Sequence, residues 1–200
     1  MVYTDGSLQK GWSSWSWGLD YQNYADTSFP VNGSTSSFCF EVQQFGALSL
    51  KREESFLAGE ASMLGFLIRG GGNKMHTTDS ALINKQNALG NLEIQLEASS
   101  PSGPSGEYSI SQSSTLKELF DAQTLAETGS NDGYVALRAA AAGNWVSLRT
   151  WLSSLKGPSG GPRMYDRITI VSCLQRMDPC EQPREPVSVC LDQVVIISGV

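Results

Sequence analysis

Short segments in which apolar and polar residues alternate recur along this chain of 200 residues. Phe38, Phe40 and Val42 alternate with Cys39 and Glu41, the period-two pattern of a strand with one buried face. Comparable apolar segments lie at 48–50, 63–68, 92–96, 135–137, 145–152, 168–171 and 189–197. Turn residues separate them, so the sequence predicts an all-β fold of about eight to ten strands, a β-sandwich or jelly roll. The run at 63–68 is continuously apolar, as in a strand buried on both faces.

The composition fits a single domain over residues 1–200 and excludes two classes of partner. The net charge is −6 and no stretch is rich in Lys and Arg, whereas phosphate binding requires clustered cations. No apolar run reaches the length of about 18 residues that a membrane span needs. We therefore expect neither nucleic-acid binding nor membrane insertion. The N-terminus lacks the pattern of a signal peptide, so Met1 is expected to be an expression start at a domain boundary within a larger parent protein.

A Ser/Gly/Pro-rich insertion at about 98–130 interrupts the strand pattern. Residues 99–114 have little apolar surface to bury, as is typical of a loop. Thr115 and Glu118 then have the spacing of a capping box, which predicts a short surface helix. For residues 139–142, which are all alanine, a helix and a tight turn before Gly143 stay equally open.

The four cysteines, Cys39, Cys173, Cys180 and Cys190, favour disulfides over a metal site. No CxxC pair occurs and His76 is the only histidine, so a zinc site has little support. Two disulfides among four cysteines can connect in three ways, and the sequence does not choose among them. Disulfides indicate an oxidising compartment, which predicts an extracellular, secreted protein.

Aromatic residues are the strongest candidates for ligand binding. Trp12, Trp15 and Trp17 lie within six residues, and Tyr21 and Tyr24 follow. An indole ring is either buried for its large apolar area or exposed as a flat platform on which a sugar ring can stack. Strand alternation places Trp15 and Trp17 on one face, which favours the core for both. Trp12 is left as the candidate platform, with Tyr21 and Tyr24 as further candidates.

A second aromatic candidate lies near position 150. Trp151 alternates with Ser147 and Arg149, so the three share one face of a predicted strand. This spacing predicts a surface platform at Trp151 with Arg149 beside it as a hydrogen-bond donor. Trp145 begins the same apolar strand and is expected in the core.

Five parts of the sequence occur in a characteristic order. They are the opening strand and Trp-rich turn at 2–5 and 11–18, the central strand at 64–71, the segment 144–155, and the final strands at 165–170 and 189–194. Taken in order, they resemble the galactose-binding-like jelly-roll modules that are attached to secreted glycoside hydrolases and cell-wall proteins. The resemblance implies a non-catalytic carbohydrate-binding or adhesion module, often with a structural calcium ion.

The resemblance also implies where calcium would bind. In such modules an acidic residue near the first strand meets one on the last strand, and these positions correspond to Asp5 and Asp192. Carbonyl oxygens would come from the loop that contains Asn32 and Gly33, because Ca²⁺ takes six to eight oxygen ligands. The alternative is that Asp5 begins a turn and Asp192 caps a hairpin. An aspartate within the apolar segment 189–197 needs a partner if it is buried.

The sequence thus predicts an extracellular module that binds a polysaccharide or glycan through an aromatic platform. One alternative is a structural or adhesion module that binds another protein in a cell wall or multidomain assembly. A β-sandwich glycoside hydrolase is the other, and it would need two carboxylates about 5–9.5 Å apart. The pairs Glu53–Glu54 and Glu93–Glu97 are expected to be solvated, so they do not favour an enzyme.

Overall fold

Twelve strands and three helices make up the part of the chain that the structure, a computed structural model, describes. The described residues are 3–4, 7–8, 12–17, 22–27, 31, 35–42, 47–58, 63–70, 79–99, 108–151, 163–171 and 187–197. The strands are β1 (Tyr3–Thr4), β2 (Ser7–Leu8), β3 (Trp12–Trp17), β4 (Gln22–Asp26), β5 (Ser37–Val42), β6 (Ala47–Ala58), β7 (Met63–Gly70), β8 (Glu93–Ser99), β9 (Tyr108–Thr115), β10 (Val146–Trp151), β11 (Arg163–Val171) and β12 (Val187–Ile197). The helices are α1 (Asp79–Gly90), α2 (Leu116–Thr128) and α3 (Tyr134–Ala141).

The described strands form two antiparallel sheets. The seven-stranded sheet has the order β10-β7-β12-β1-β2, and β12 also pairs with β5, which in turn pairs with β4. The five-stranded sheet has the order β3-β6-β11-β8-β9. Strand β10 therefore lies at an edge of the first sheet, whereas β7 and β12 lie inside it.

Apolar side chains from both sheets meet in one core. Phe66 and Ile68 of β7 and Leu191 of β12 join Ile94 of β8 and Ile168 of β11 in a single buried cluster. Each of these five side chains is at most 5% exposed. Burial of one such side chain stabilises the fold by about 1.5–3 kcal/mol. The packing of the two sheets confirms the predicted all-β sandwich.

The burial of β7 differs from the prediction. Leu64, Phe66 and Ile68 are buried, but Met63, Gly65 and Leu67 are half-exposed. One face of this central strand lies on the core and the other faces outward, so the continuous apolar run was misinterpreted as a strand buried on both faces. Half-exposed apolar residues on an outer face indicate a surface that can receive a partner.

Helix α2 begins where the sequence predicts, but its position differs from the expectation. The Glu118 N–H donates to Thr115 Oγ1 at 3.2 Å, and the Thr115 N–H donates to Glu118 Oε2 at 3.1 Å. These two bonds confirm the capping box. Leu116, Leu119 and Phe120 are buried in the core, so one side of α2 packs inside the fold. The insertion also contributes β9, which completes the five-stranded sheet.

The alternation of Val135 and Leu137 predicts a strand, and this prediction is wrong. Both residues lie in α3, where Leu137 is buried and Val135 is 70% exposed. Three residues are too few to distinguish period two from the helical period, and the alanines that follow favour a helix. Helix α1 has no counterpart among the predicted elements. None of these described helices is long and apolar enough to cross a membrane.

A close approach of α2 to the start of α3 requires glycine at position 133. A Cβ added to Gly133 would lie 2.7 Å from the Asp121 nitrogen and 2.8 Å from Phe120 Cβ. The Gly133 N–H donates to Asp121 Oδ1 at 2.8 Å, and Lys117 forms an ion pair with the other oxygen of the same carboxylate. This junction fixes the segment that leads into β10.

A disulfide joins Cys39 of β5 to Cys190 of β12. The two residues are directly opposite each other in the antiparallel pair, and both are fully buried. The prediction of a disulfide is confirmed, and the structure selects Cys39 as the partner of Cys190. Cys173 and Cys180 lie outside the described residues.

Replacing Cys39 and Cys190 together by Ala should lower the free energy of unfolding by about 2–5 kcal/mol, because this crosslink closes a loop of 151 residues in the unfolded chain. Urea unfolding under oxidising conditions measures the loss. The matched control is the Cys173→Ala/Cys180→Ala variant, which retains the Cys39–Cys190 bond. Reductant should remove most of the difference between wild type and the first variant. Equal unfolding free energies without reductant would contradict this expectation.

Candidate ligand-binding face

The register of β10, β7 and β12 brings distant parts of the sequence into rows. Met63 of β7 pairs with Trp151 of β10 on one side and with Ile197 of β12 on the other. Paired residues of adjacent strands project to the same face of a sheet. These three side chains therefore form an apolar row across three strands. Trp151 is 53% exposed and Ile197 is 51% exposed, so the row lies at the surface.

A second row lies two residues further along the same strands. Gly65 of β7 pairs with Arg149 of β10 and with Val195 of β12. Arg149 is exposed, and Gly65 and Val195 are half-exposed. We name the two rows the outer patch, and its six residues are Met63, Gly65, Arg149, Trp151, Val195 and Ile197.

Glycine at position 65 leaves a shallow depression in the outer patch. A Cβ added there would have only the Leu148 carbonyl oxygen nearby, at 3.8 Å, which is ordinary contact. The protein itself therefore has room for a larger side chain at this position. Glycine within a strand often marks a place where a ligand or another backbone approaches closely. The depression lies between the Arg149 side chain and Val195.

Gln123 of α2 closes the edge of β10 beside the outer patch. Its Oε1 accepts from the Arg149 backbone N–H at 2.8 Å, and its Nε2 donates to the Ser147 carbonyl at 3.3 Å. The Nε2 also donates to Glu127 Oε1 at 3.1 Å, which fixes the orientation of the amide. One side chain thus makes the two bonds that a neighbouring strand would make, and it holds the backbone that carries Arg149.

The face of the seven-stranded sheet that carries the outer patch is buried at its other end, near Arg69, and this buried end carries positive charge. Arg69 pairs with Cys190 in the register of β7 and β12, is 3% exposed, and lies with its guanidinium carbon 5.3 Å from the centre of a Trp145 ring. Burial, and secondarily the charge of Arg69, lower the pKa of Lys85 below its usual value. Trp145 is half-exposed and precedes β10, so its predicted core position is only partly correct.

A β-bulge separates Asp192 from the outer patch. Asp192 pairs with Leu67, whereas the next registered pair is Val195 with Gly65, so β12 has one extra residue here. Gln193 lies in the bulge with a φ of 49° and donates its N–H to Asp192 Oδ1 at 2.7 Å. Asp192 is fully buried, and its Oδ2 has no hydrogen-bond partner among the described residues.

Ser37 is the first residue of β5 and follows the same register. The last registered pair of β5 and β12 is Phe38 with Leu191, so Ser37 and Asp192 are the residues that immediately follow this pair on the two strands. Ser37 is fully buried, and its Oγ also has no hydrogen-bond partner within the described part of the chain. Two buried oxygen atoms that need a partner therefore occur at adjoining positions.

The other predicted site residues fall in several places. Trp12 begins β3, the edge strand of the five-stranded sheet, and pairs with Arg52. Tyr24 lies in β4 and pairs with Cys39, so it belongs to the seven-stranded sheet but is four strands from β10. Only Arg149 and Trp151 of the predicted ligand-binding residues come together in the described structure. Tyr21, Asp5, Asn32 and Gly33 lie outside the described residues.

The backbone register of β3 separates Trp15 from the core residues. Trp15 pairs with Ser49, in the row of Thr169 and Gln95. The neighbouring Ser14 is instead in the row of Ile168 and Leu96, which are core residues. The core assignment of Trp15 and Trp17 stays a prediction.

Glu93 corrects the expectation of a solvated carboxylate. It is 9% exposed and its Oε1 accepts from Gln95 Nε2 at 3.4 Å. Strand β8 lies inside the five-stranded sheet, and the buried side chains of Gln95 and Thr169 show that this face is covered. The side chain of Glu97 lies outside the described residues. Across the described residues there is no group of three His, Cys, Asp or Glu side chains placed to hold a metal ion.

Sequence reasoning missed most of the outer patch. Met63 and Gly65 lie in the run at 63–68, for which the sequence predicts burial on both faces, and Val195 and Ile197 lie in the predicted strand at 189–197 with no role assigned. The sequence does not single out Gln123 or Ser37. Gly65 is the one signal that could have found the site, because a glycine interrupts the apolar run of a strand.

Comparisons with known proteins give a remote likeness in fold. No protein-family model matches the chain, and no curated protein matches its sequence. A solved structure described as "CBM29_1, A Family 29 Carbohydrate Binding Module from Piromyces equi" is similar over 98% of this chain and 85% of that chain, with 14% identity and a TM-score of 0.43. A CBM29-2 variant is similar over 98% of this chain and 86% of that chain, with 15% identity and a TM-score of 0.44. Likeness at this level does not identify ligand-binding residues.

Replacing Gln123 by Ala should free the edge of β10 and lower the free energy of unfolding by about 1–2 kcal/mol, because two hydrogen bonds to the backbone are lost. Amide exchange followed by NMR should show faster exchange of the Arg149 N–H. Gln123→Glu is the matched control, since it keeps the acceptor for the Arg149 N–H and loses the Nε2 donor to Ser147 and Glu127. Unchanged exchange at Arg149 in the Ala variant would contradict the role of Gln123.

Proposed function

We propose that this protein is a non-catalytic carbohydrate-binding module that holds a polysaccharide or glycan on the outer patch. The observation that carries the proposal is the half-exposed indole of Trp151 beside the exposed guanidinium of Arg149. The indole offers a flat apolar surface for the face of a sugar ring. The guanidinium offers several N–H donors for sugar oxygens. An apolar platform with a few polar groups is typical of a ligand site.

The shape of the outer patch supports a chain-like ligand. Adjacent strands are about 4.8 Å apart, so Trp151 and Ile197 are about 10 Å apart across β7. The depression at Gly65 lies beside this row and gives a ligand room to approach the sheet backbone. Because strands rather than loops carry these side chains, little ordering is required on binding. An open surface of this size is consistent with modest affinity.

The outer patch has no carboxylate, so its chemistry supports binding and not glycoside hydrolysis. Hydrolysis by the usual route requires two carboxylic groups on either side of the scissile bond. The nearest described acid along β12 is Asp192, which is fully buried. The main alternative is an adhesion module, and the apolar row of Trp151, Met63 and Ile197 favours it to some degree. A protein partner would cover this row, and dimerisation or complex formation would then depend on the three side chains of the row.

A structural calcium ion is part of the proposal. The residues fit this ion because Asp192 Oδ2 and Ser37 Oγ are buried oxygens with no described partner, and Ca²⁺ prefers oxygen ligands. In the backbone register Asp26 of β4 pairs with Ser37, which adds an acidic position to the same row. Asp5, Asn32 and Gly33 are the remaining proposed ligands. Bound there, calcium would supply the charge that a buried carboxylate lacks and would fasten β12 to β5 and β1.

An extracellular location, in a cell wall or a larger secreted protein, completes the proposal. Its support is the buried disulfide between Cys39 and Cys190, since disulfides form and persist in oxidising compartments. A polysaccharide ligand would be available in the same setting.

Replacing Trp151 by Ala should weaken glycan binding about 5- to 30-fold, because stacking on an indole contributes about 1–2 kcal/mol. Gly65→Val should weaken binding by a similar factor through the opposite change, by filling the depression. The free energy of unfolding should stay within about 1 kcal/mol of wild type in both variants, since both positions are on the surface. Isothermal titration calorimetry with glycans selected on an array measures the affinities.

Trp12→Ala serves as the control from the other sheet. Loss of binding in Trp12→Ala, with both outer-patch variants unaffected, would move the site to β3.

Calcium at saturation should raise the melting temperature by about 5–10 °C, because a ligand at about a hundred times its Kd stabilises by about 2.7 kcal/mol. Asp192→Asn should abolish this increase. In the presence of a chelator the same variant should be at least as stable as wild type, because it removes an uncompensated buried charge. Differential scanning calorimetry with Ca²⁺, Mg²⁺ or chelator makes the comparison. A wild-type melting temperature that does not respond to Ca²⁺ would exclude the ion.

A further inference from the structure

The outer patch carries a single formal charge, and it is positive. Of the six residues, only Arg149 is ionised at neutral pH. Its guanidinium is exposed and makes no ion pair or hydrogen bond with any described residue, although its backbone N–H is held by Gln123. The nearby carboxylate of Glu127 accepts from Gln123 instead. A single cation among the otherwise uncharged residues of the outer patch can recognise an anionic group.

The geometry favours a carboxylate that is attached to a sugar ring. Arg149 and Trp151 are two residues apart on one strand face, which separates their Cα atoms by about 6.8 Å. A ring stacked on the Trp151 indole can therefore place a substituent near the guanidinium. The planar fork of N–H donors in arginine matches the two oxygens of a carboxylate. Uronic acids carry such a carboxylate directly on the pyranose ring.

The charge of the whole protein limits how acidic the ligand can be. The net charge is −6, so a densely charged polyanion is repelled as it approaches. This repulsion is screened over about 8 Å at physiological ionic strength, whereas a contact pair at the patch is screened much less. One cation also neutralises only one carboxylate. A mostly neutral chain with isolated uronic acid residues meets both conditions.

We infer that the outer patch selects a sparsely acidic glycan, a predominantly neutral polysaccharide with single uronic acid residues whose carboxylate pairs with Arg149 while the ring stacks on Trp151. This inference rests on the proposed function and goes further by naming the class of ligand. Trp151, Met63 and Ile197 would distinguish among the neutral sugar chains of such polysaccharides, since stacking and apolar contact do not depend on charge.

Matched pairs of ligands test the inference most directly. The probes are glucuronic-acid-bearing xylo-oligosaccharides, oligogalacturonates and oligomannuronates, each compared with its carboxyl-reduced form, in which –CH₂OH replaces the carboxylate. Calorimetry with wild type should show at least one pair whose acidic member binds about 3- to 10-fold more tightly. The sparsely acidic xylo-oligosaccharide should show this preference at low salt more clearly than the fully acidic oligomers.

Variants at position 149 identify the cause of the preference. Arg149→Gln should make the two members of the pair bind equally, and it should weaken the neutral member only by the loss of hydrogen bonds from the guanidinium to sugar hydroxyl oxygens. Arg149→Lys should keep part of the preference, because its ammonium is a point charge without the planar fork. Thermal unfolding should be unchanged in both variants, since the side chain is exposed.

Two outcomes overturn the pairing of the ligand's carboxylate with Arg149 and leave the proposed function intact. The first is equal binding of the acidic and reduced members of every pair, with Trp151→Ala still weakening both. The second is a preference for the acidic members that Arg149→Gln does not change. Tighter binding of the fully acidic oligomers at low salt would overturn the sparsely acidic class. Loss of the proposed function has a different signature, because the Trp151 and Gly65 variants would then bind every glycan on the array as wild type does.

Discussion

The register of β12 against β7 is the constraint on which the candidate site depends. Side chains alternate along a strand, so a slip of one residue would exchange the core and surface faces of β12. Leu191 and Val194 face the core, and Asp192 and Val195 face outward. The two members of each pair are three residues apart, and in a regular strand they would face opposite sides of the sheet. The extra residue in the bulge makes this arrangement possible. Gln193 has the positive φ that it requires, which costs a non-glycine residue about 1 kcal/mol or more.

The two ends of the outward face have different physical roles because of how β12 is paired. Up to Leu191, β12 pairs with β5 and is joined to it by the Cys39–Cys190 disulfide, and the side chains of this end are buried. Within the bulge β12 pairs with β1 at Val194, and beyond the bulge the face opens to solvent at Ile197. The buried end therefore serves as a rigid support for the exposed end. A platform fixed in this way loses little conformational entropy when a ligand binds.

Alternation in the sequence predicts individual strands well and their pairing not at all. The pair Arg149 and Trp151 could be found because both lie on one short strand with clear alternation. Met63 and Ile197 could not, because Met63 pairs with Trp151 across 88 residues of sequence and with Ile197 across 134 residues. The apolar run at 63–68 conceals an outward face, since half-exposed and buried apolar residues have the same composition. The helix at Val135 was missed because three alternating residues do not define a period.

Aromatic clustering in the sequence lies in one sheet, and the exposed tryptophan among the described side chains, Trp151, lies in the other. The Trp-rich segment lies in β3, in rows that run through the five-stranded sheet, whereas Trp151 lies at the edge of the other sheet. The members of a sequence cluster are adjacent along the chain, but the residues of a binding surface on a sheet are brought together by pairing between strands. Trp151 has an apolar neighbour on β7, a cation two residues away and a glycine-lined depression beside it. These neighbours, and not the number of nearby aromatic residues, make Trp151 the candidate platform.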